Sequence, residues 1–299
     1  MTAQETPFTG KKEKHDGAPY GENNGNTERK NTPEEMYHTV PCVKIDGCRA
    51  TKTVHEVVIE EPIAVFVNGR HAVTAVMSPI DLEDFATGYL FTEQIIKGME
   101  EIESIRIEKN RISVITTNLF KVLGPKKTIL SGCGGSTSYI DAAKLPKIQS
   151  TFTISADALR SAQRSLPDSG VHQTTGGIHV VALLNKEGVI TVAEDIGRHN
   201  AVDRVIGYGL RNHLDFSRTF ILSSGRISSE MVRKCLVANI PIIVSRSATT
   251  TLSVEIAEET GLTVIAFARG GKMNCYTHTE RILIEPTGQS AREPPASSK

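Results

Sequence analysis

Long apolar runs are missing from this chain of 299 residues: none approaches the roughly 20 residues that a membrane span needs. The N-terminus lacks the apolar core of a secretory signal. An excess of one charge is missing too. Lys plus Arg and Asp plus Glu both count 34, so the formal net charge is zero and nothing argues for a nucleic-acid partner. Cysteine is scarce, with five residues, Cys42, Cys48, Cys133, Cys235 and Cys275. An odd, scattered set speaks against a disulfide framework and for a reducing compartment, so the cytoplasm is expected. Several catalytic signatures are absent: the Gly-x-x-x-x-Gly-Lys-Ser/Thr phosphate loop, the Gly-x-Ser-x-Gly elbow and the His-Glu-x-x-His zinc helix. The His-x-Glu and Pro-Cys-x-x-Cys pair of zinc deaminases is absent as well. The separation of Cys42 from Cys48 fits no trusted metal spacing, and no structural metal is expected.

What is present divides into five stretches. Residues 1–38 and 286–299 are polar, with almost nothing to bury, and read as a disordered leader and tail. Residues 39–125 read as a small α+β domain. Its β-like runs are Val54–Ile59, Ile63–Val67, His71–Val76, Ile105–Glu108 and Ile112–Thr117, with a hairpin signal at Asn68-Gly69. A helix over Asp81–Ile96 follows Ser78-Pro79 and sets Leu82, Phe85, Ala86, Tyr89 and Leu90 on one face. Residues 126–154 hold a cysteine loop and connector. Residues 155–285 open with a helix near Ser155–Ser165 and a hairpin, His179–Leu184 with Val189–Ala193. Helix and strand then alternate, which predicts an α/β fold of three layers, α/β/α, around a mostly parallel sheet.

Four strand ends in this last part share one design, small polar residues with a cation. They are Glu194–Asn200 with Arg198 and His199, Ser223–Arg226, Ser245–Thr250 with Arg246, and Ala268–Lys272 with Arg269. Gly and Ser leave backbone N–H groups open, helix N-termini add partial positive charge, and Arg binds phosphate bidentately. Ligands of parallel α/β sheets sit outside the carboxyl ends of the strands. Together these features predict one pocket for a phosphate-bearing ligand. Thr174–His179 adds a further glycine-containing cluster. His199 is a candidate acid/base group or hydrogen-bond donor, and Asp195 or Asn200 a candidate cap for a helix starting near Ala201.

Cys133 stands in Leu130-Ser131-Gly132-Cys133-Gly134-Gly135-Ser136, where flanking glycines expose the sulfur. Exposure is one of the two conditions for a reactive thiol. Cys235, beside Leu236 and Val237, reads as core packing. Cys275 reads as structural or pocket-lining.

The run Glu194-Asp195-Ile196-Gly197-Arg198-His199-Asn200-Ala201-Val202-Asp203 resembles the central motif of the formate dehydrogenase accessory sulfurtransferases, the FdhD family. Other blocks resemble the same family in order. They include Glu60–Ala64, Asp81–Gly88, Gly132-Cys133-Gly134, Thr175–His179, Ser223–Arg226, Ser229–Val232, Ser247–Thr250, Phe267–Lys272 and Tyr276–His278. The resemblance implies a cytidine-deaminase-like α/β/α domain without zinc chemistry. It implies a sulfur carrier that takes sulfur from a cysteine desulfurase as a persulfide on Cys133. That sulfur would pass to the molybdenum of the bis-molybdopterin guanine dinucleotide cofactor, held as substrate, before its insertion into the formate dehydrogenase catalytic subunit. Phe267, Ala268, Arg269, Gly270, Gly271 and Lys272 resemble the cofactor-binding segment, with Arg198, His199, Arg226 and Arg246 expected nearby. The family loop is Cys-Gly-x-Cys, and here Ser136 takes the second position, so no relay between two loop thiols is available. The alternative is a cofactor-binding insertion chaperone that moves no sulfur. A homodimer is left open, and a nucleotide-modifying hydrolase is disfavoured by the missing zinc signature.

Overall fold

A computed structural model describes residues 36–118, 127–129, 144–165 and 170–284. The expected leader lies outside these residues except for its end. Met36 is buried, and Tyr37 opens the first strand. The expected tail, 286–299, lies wholly outside them.

The first described elements are a two-stranded ribbon, β1 (Tyr37–Asp46) and β2 (Arg49–Val58), paired in register around a two-residue turn. The apolar pattern had suggested strand only from Val54 onward. Next comes a five-stranded sheet of β3 (Glu61–Val67), β4 (Arg70–Met77), β5 (Ile102–Glu108), β6 (Arg111–Thr116) and β7 (Lys127–Ile129). Its order is β5-β6-β3-β4-β7. Asn68 and Gly69 both take left-handed φ, 49° and 77°, as the tight turn between β3 and β4 requires. The Asn68 carboxamide locks that turn to β6, accepting from Thr116 N at 2.9 Å and donating to Thr116 Oγ1 at 2.9 Å. Strand periodicity puts Ile63, Val65, Val67, Val73, Ala75 and Met77 on one buried face. Helix α1 (Leu82–Thr92) covers it with Phe85, Ala86, Tyr89 and Leu90. α1 is shorter than the expected Asp81–Ile96, because Gln94 turns left-handed at φ 56°.

The second sheet has six strands in the order β10-β9-β11-β12-β13-β14. They are β9 (His179–Leu184), β10 (Val189–Asp195), β11 (Phe220–Ser223), β12 (Ile242–Ser245), β13 (Thr263–Arg269) and β14 (Lys272–Cys275). α2 (Ala156–Ser165) and α3 (Gly170–Thr175) precede them, and α4 (Arg198–Arg211), α5 (Ser229–Val237) and α6 (Thr251–Thr260) run between them. Only β11, β12 and β13 are parallel. The pairs β10–β9, β9–β11 and β13–β14 are antiparallel. The sheet is therefore mixed, not mostly parallel: hairpins close both edges around a parallel trio. Alternate residues face two apolar layers. Val181, Leu183, Ile221, Ile243 and Val264 pack with residues of α4, α5 and α6. Val180, Ala182, Phe220, Leu222, Ile242 and Val244 pack beneath Phe152, Ile154 and Leu159 of α2 and its lead-in. β8 (Ile154–Ser155) pairs in parallel with β15 (Ile282–Leu283) to complete that second layer. Cys235 is fully buried against α4 and α6, as its neighbours suggested.

The two sheets belong to one compact unit, joined where α1 crosses α4. A Cβ built on Gly88 would lie 1.8 Å from Asp203 O, and one on Gly207 would lie 1.8 Å from Asp84 O. The backbones therefore touch, and no other residue fits either position. β7 also joins the first sheet across the boundary expected at residue 125.

Candidate functional site: a cationic edge of the mixed sheet

The carboxyl ends of β10, β11, β12 and β13 and the start of β9 meet on one edge of the six-stranded sheet. Hydrogen bonds hold the emerging loops together beyond the strands. Arg246 N donates to Ser223 O at 3.0 Å, Ile227 N to Ala248 O at 2.9 Å and Phe267 N to Ser247 O at 2.9 Å. Ser245 Oγ donates to Gly225 O at 2.6 Å, and Ser224 N donates to Val180 O at 2.9 Å.

A cavity of about 550 Å³ opens beside the ends of β12 and β13, walled by α2. Four guanidinium groups line it, from Arg160 and Arg164 on α2, Arg246 after β12 and Arg269 on β13. Gln163 completes the α2 wall. Its backbone carbonyl accepts from Arg246 Nη2 at 3.1 Å, and its side chain is buried with Nε2 lacking a partner among the described residues. The opposite wall is Ala268, Gly270 and Gly271. Among the described residues no carboxylate lines this cavity, and Asp157 engages Arg160 from one helical turn away. Cations gathered without lining carboxylates favour a multiply charged anion.

Phe267–Lys272 is a hairpin rather than an open loop. Arg269 and Lys272 pair across Gly270 and Gly271, whose φ values of 59° and 77° meet the demands of a two-residue turn. Phe267 bulges from β13 with a left-handed φ of 52°, unusual for an aromatic residue, and its ring is exposed. Neither Phe267 nor Lys272 lines the cavity. Arg160, Gln163 and Arg164 were not expected there. The one signal they carry in sequence is the four-residue spacing of the arginines, which equally describes a solvated helix face.

Arg198, His199 and Arg226 do not line the cavity; they form a second cluster farther along the edge. Arg198 packs so closely on Gly225 that a Cβ there would lie 2.9 Å from Arg198 Cβ and 3.2 Å from His179 Nδ1. Burial, then the Arg198 charge, pushes the His179 imidazole below its ordinary pKa. The same two causes push His199 down to about 3. His199 is therefore neutral at neutral pH, and its 3.4 Å approach to Glu230 is no ion pair. Nε2 also lies 3.0 Å from Ser228 Oγ, so the ring is bound to the start of α5. A residue that protonates only near pH 3 is not a general acid at neutral pH.

The inner side of the same segment is structural. α4 begins at Arg198, and its N-cap Gly197 has no side-chain cap; neither Asp195 nor Asn200 caps it. Asp195 is fully buried and accepts from Gly197 N at 2.7 Å, Asn200 Nδ2 at 2.9 Å, Ser78 N at 3.2 Å and Arg204 Nη2 at 2.5 Å. Burial raises its proton affinity, and the Arg204 charge opposes this. Arg204 also donates to the carbonyls of Ser78 and Ile80. One turn on, Asp203 accepts from Lys234 Nζ at 2.7 and 2.8 Å and from Thr92 Oγ1 at 2.7 Å.

The FdhD/NarQ family model matches residues 58–283. The chain belongs to the FdhD/NarQ family. Among its relatives is the sulfur carrier protein FdhD of Wolinella succinogenes, 37% identical over 266 residues, which are 83% of this chain and 92% of that protein. Another is the sulfur carrier protein FdhD of Sulfolobus acidocaldarius, 36% identical over 242 residues, covering 79% of this chain and 94% of that protein. A crystal structure from Desulfotalea psychrophila, of a protein assigned as a formate dehydrogenase accessory protein, is similar with a TM-score of 0.71 at 28% identity. The match covers 83% of this chain and all of that one. Within this family member, Cys133 and Ser136 lie outside the described residues. Cys275 lies on β14, half-buried, with its thiol directed at Thr277 O at 3.5 Å and its pKa raised by burial. Among the described residues, no helix is long and apolar enough to cross a membrane, and no group of three metal-ligating side chains converges.

A larger cavity, about 830 Å³, lies at the other end of the second sheet among residues 149–153, 185–187 and 214–219. Lys186 and Arg218 there are balanced by Glu187 and Asp215. It lacks the charge imbalance that marks the first.

Proposed function

We propose that this protein is a sulfur carrier serving formate dehydrogenase. It takes sulfur from a cysteine desulfurase as a persulfide on Cys133 and passes it to bis-molybdopterin guanine dinucleotide cofactor held at the cationic edge. The observation that carries this reading is the cavity with four guanidinium groups and, among the described residues, no lining carboxylate, which suits a cofactor bearing several phosphates. The names of the relatives supply the sulfur chemistry. The cofactor is the substrate here, and the chain's own part is to hold its phosphates and present a thiol. The work falls in the cytoplasm.

The anchoring of the cysteine segment supports direct transfer. β7 ends at Ile129 and runs parallel to β4, with Ile129 opposite Ala75. Three residues beyond Ala75, Ser78 N donates to Asp195 at the end of β10. β7 therefore points toward the edge where Arg198 and His179 sit. Cys133 is four chain steps beyond Ile129 in sequence, a span of at most about 14 Å.

Incubation with a cysteine desulfurase and cysteine, followed by mass spectrometry, tests the proposal. One added sulfur on Cys133, abolished by Cys133→Ala and little changed by Ser136→Ala, is expected. Sulfur on Cys235 or Cys275 would overturn the assignment. A clean Cys133 thiol would favour the insertion chaperone, which Ser136 in the second loop position keeps in view. A guanine nucleotide should bind more tightly than its adenine counterpart, and equal affinities would reduce the site to a general phosphate pocket.

A further inference from the structure

Glu194, the next-to-last residue of β10, is only 7% exposed. Among the described residues its Oε1 has no hydrogen-bond partner, and its carboxyl group forms no ion pair. Its neighbour Asp195 is served by Arg204, Asn200 and two backbone N–H groups, none of which reaches Glu194. A buried carboxyl oxygen without a donor is costly, and a bound partner that brings the donor removes the cost.

Strand pairing places this carboxyl group. Glu194 stands opposite Val180 on β9, and residues opposite each other in an antiparallel pair share a face. Val180 packs beneath Leu159 of α2, so Glu194 lies on the α2 face of the sheet. Arg246 lies on that face too, since it donates to the Gln163 carbonyl of α2. The carboxyl edge of this face therefore carries an acceptor at its β10 end and the guanidinium cavity at its β12–β13 end. β10, β9, β11 and β12 are successive neighbours, so three strand spacings, ~14 Å, separate the two ends. A ligand that satisfies both has its anion at one end and N–H donors at the other.

We propose that Glu194 reads the base of the nucleotide whose phosphates occupy the cationic cavity, accepting from the N1–H and 2-amino groups of guanine. This assignment rests on the cavity being a nucleotide cofactor site, as proposed above. An ionised carboxyl group offers two acceptors and no donor. Guanine presents two donors side by side on one edge. Adenine sets a ring acceptor beside its amino group, and hypoxanthine lacks the amino group. A pterin presents the same pair of donors as guanine. Joined to its phosphate through one methylene, however, it is shorter than a nucleoside diphosphate, and the ~14 Å span favours guanine. In a buried position a wrong base leaves the carboxyl group unpaired, so each missing donor counts heavily.

Calorimetry on the full chain tests this, with pyrophosphate and with the diphosphates of guanosine, inosine, adenosine and 6-hydroxymethylpterin as probes. Unaltered protein should bind guanosine diphosphate about 10- to 100-fold more tightly than inosine diphosphate, which lacks one donor. Adenosine diphosphate should bind more weakly still. Glu194→Gln sets a donor against the base and should lower guanosine diphosphate to the level of inosine diphosphate. Its pyrophosphate affinity and melting temperature should hold. Equal binding of guanosine and inosine diphosphates by unaltered protein overturns the proposal, whether or not the variant folds. So does a guanine preference that survives E194Q. Tighter binding of the pterin diphosphate than of guanosine diphosphate overturns the choice of guanine. Pyrophosphate binding without any base preference sinks this assignment alone, whereas no pyrophosphate binding sinks the cavity reading and this assignment with it.

Discussion

Beneath the N-terminus of α4, Arg204 is fully buried, with Asp195 and two carbonyls taking its charge. On the outer edge of the same sheet, Arg160, Arg164, Arg246 and Arg269 surround a cavity that no carboxylate lines among the described residues. The first arrangement balances its charge internally and joins the two halves of the molecule. The second gathers four cations around open space that an anion can enter, with Asp157 engaging Arg160 from the flank. Such a contrast separates charge that holds a fold from charge that faces an open cavity, and each side can be perturbed alone.

The largest effect is expected where α1 and α4 touch. Gly88→Val or Gly207→Val must push the helices apart and should cost more than about 3 kcal/mol, read as a fall in melting temperature or as insoluble protein. Next, Lys234→Met strands the buried Asp203 carboxylate and should cost about 3–5 kcal/mol, whereas D203L/K234M should recover more than half of that loss. Chemical denaturation of the two variants decides it. Neither change should alter pyrophosphate affinity in soluble protein, and a matching loss would break the contrast. On the open side the pattern reverses. Arg246→Ala with Arg269→Ala should weaken pyrophosphate binding by about 10- to 100-fold in calorimetry, with little change in melting temperature.

His199, in the second cluster along the edge, gives a pH signature of its own. Its folded pKa of about 3 lies below the ordinary value of about 6.5. Between these values the unfolded chain binds a proton that the folded chain does not, so stability falls as pH falls through this window. The slope from this group is at most about 1.4 kcal/mol per pH unit. His199→Gln should flatten the melting profile between pH 6.5 and 4, and His179, shifted the same way, should leave a residual slope. An unchanged profile would show that His199 is not held neutral. The smallest effect is expected at Phe267→Gly. Relief of the left-handed strain should stabilise the fold by about 1 kcal/mol and leave pyrophosphate affinity unchanged, since Phe267 does not line the cavity.

Features with local causes were legible in the sequence. The Asn68-Gly69 turn, the apolar face of α1 and the core position of Cys235 follow from residue chemistry over a few positions. Strand direction does not. Alternating helices and strands suggested a mostly parallel sheet, but β9 runs against β11 because β10 and α4 intervene, and no local pattern records that pairing. The ribbon β1–β2 escaped notice upstream of Val54 because both its faces are exposed and its apolar residues mark no buried side. At the site, Arg246 and Arg269 were foreseen from the strand-end design. Arg160 and Arg164 were not, since only the packing of Leu159 beneath α2 decides that their side of the helix meets β12 and β13. Asp195 and Asp203 looked like a cap and a motif residue, and each proved to hold a buried cation, Arg204 of the adjoining helix for Asp195 and Lys234 of α5 for Asp203.

The pairing of β8 with β15 bears on when this molecule can begin to work. Ile154 and Ile282 meet across nearly the whole second half of the chain, and both belong to the apolar layer that seats α2. During synthesis the six-stranded sheet can assemble strand by strand, but this layer closes only after residues near 283 have left the ribosome. α2, with Arg160 and Arg164, is thus fully braced only once β15 is present. A growing chain would present the Arg246 side of the cavity against an α2 that still lacks the brace of β8 on β15.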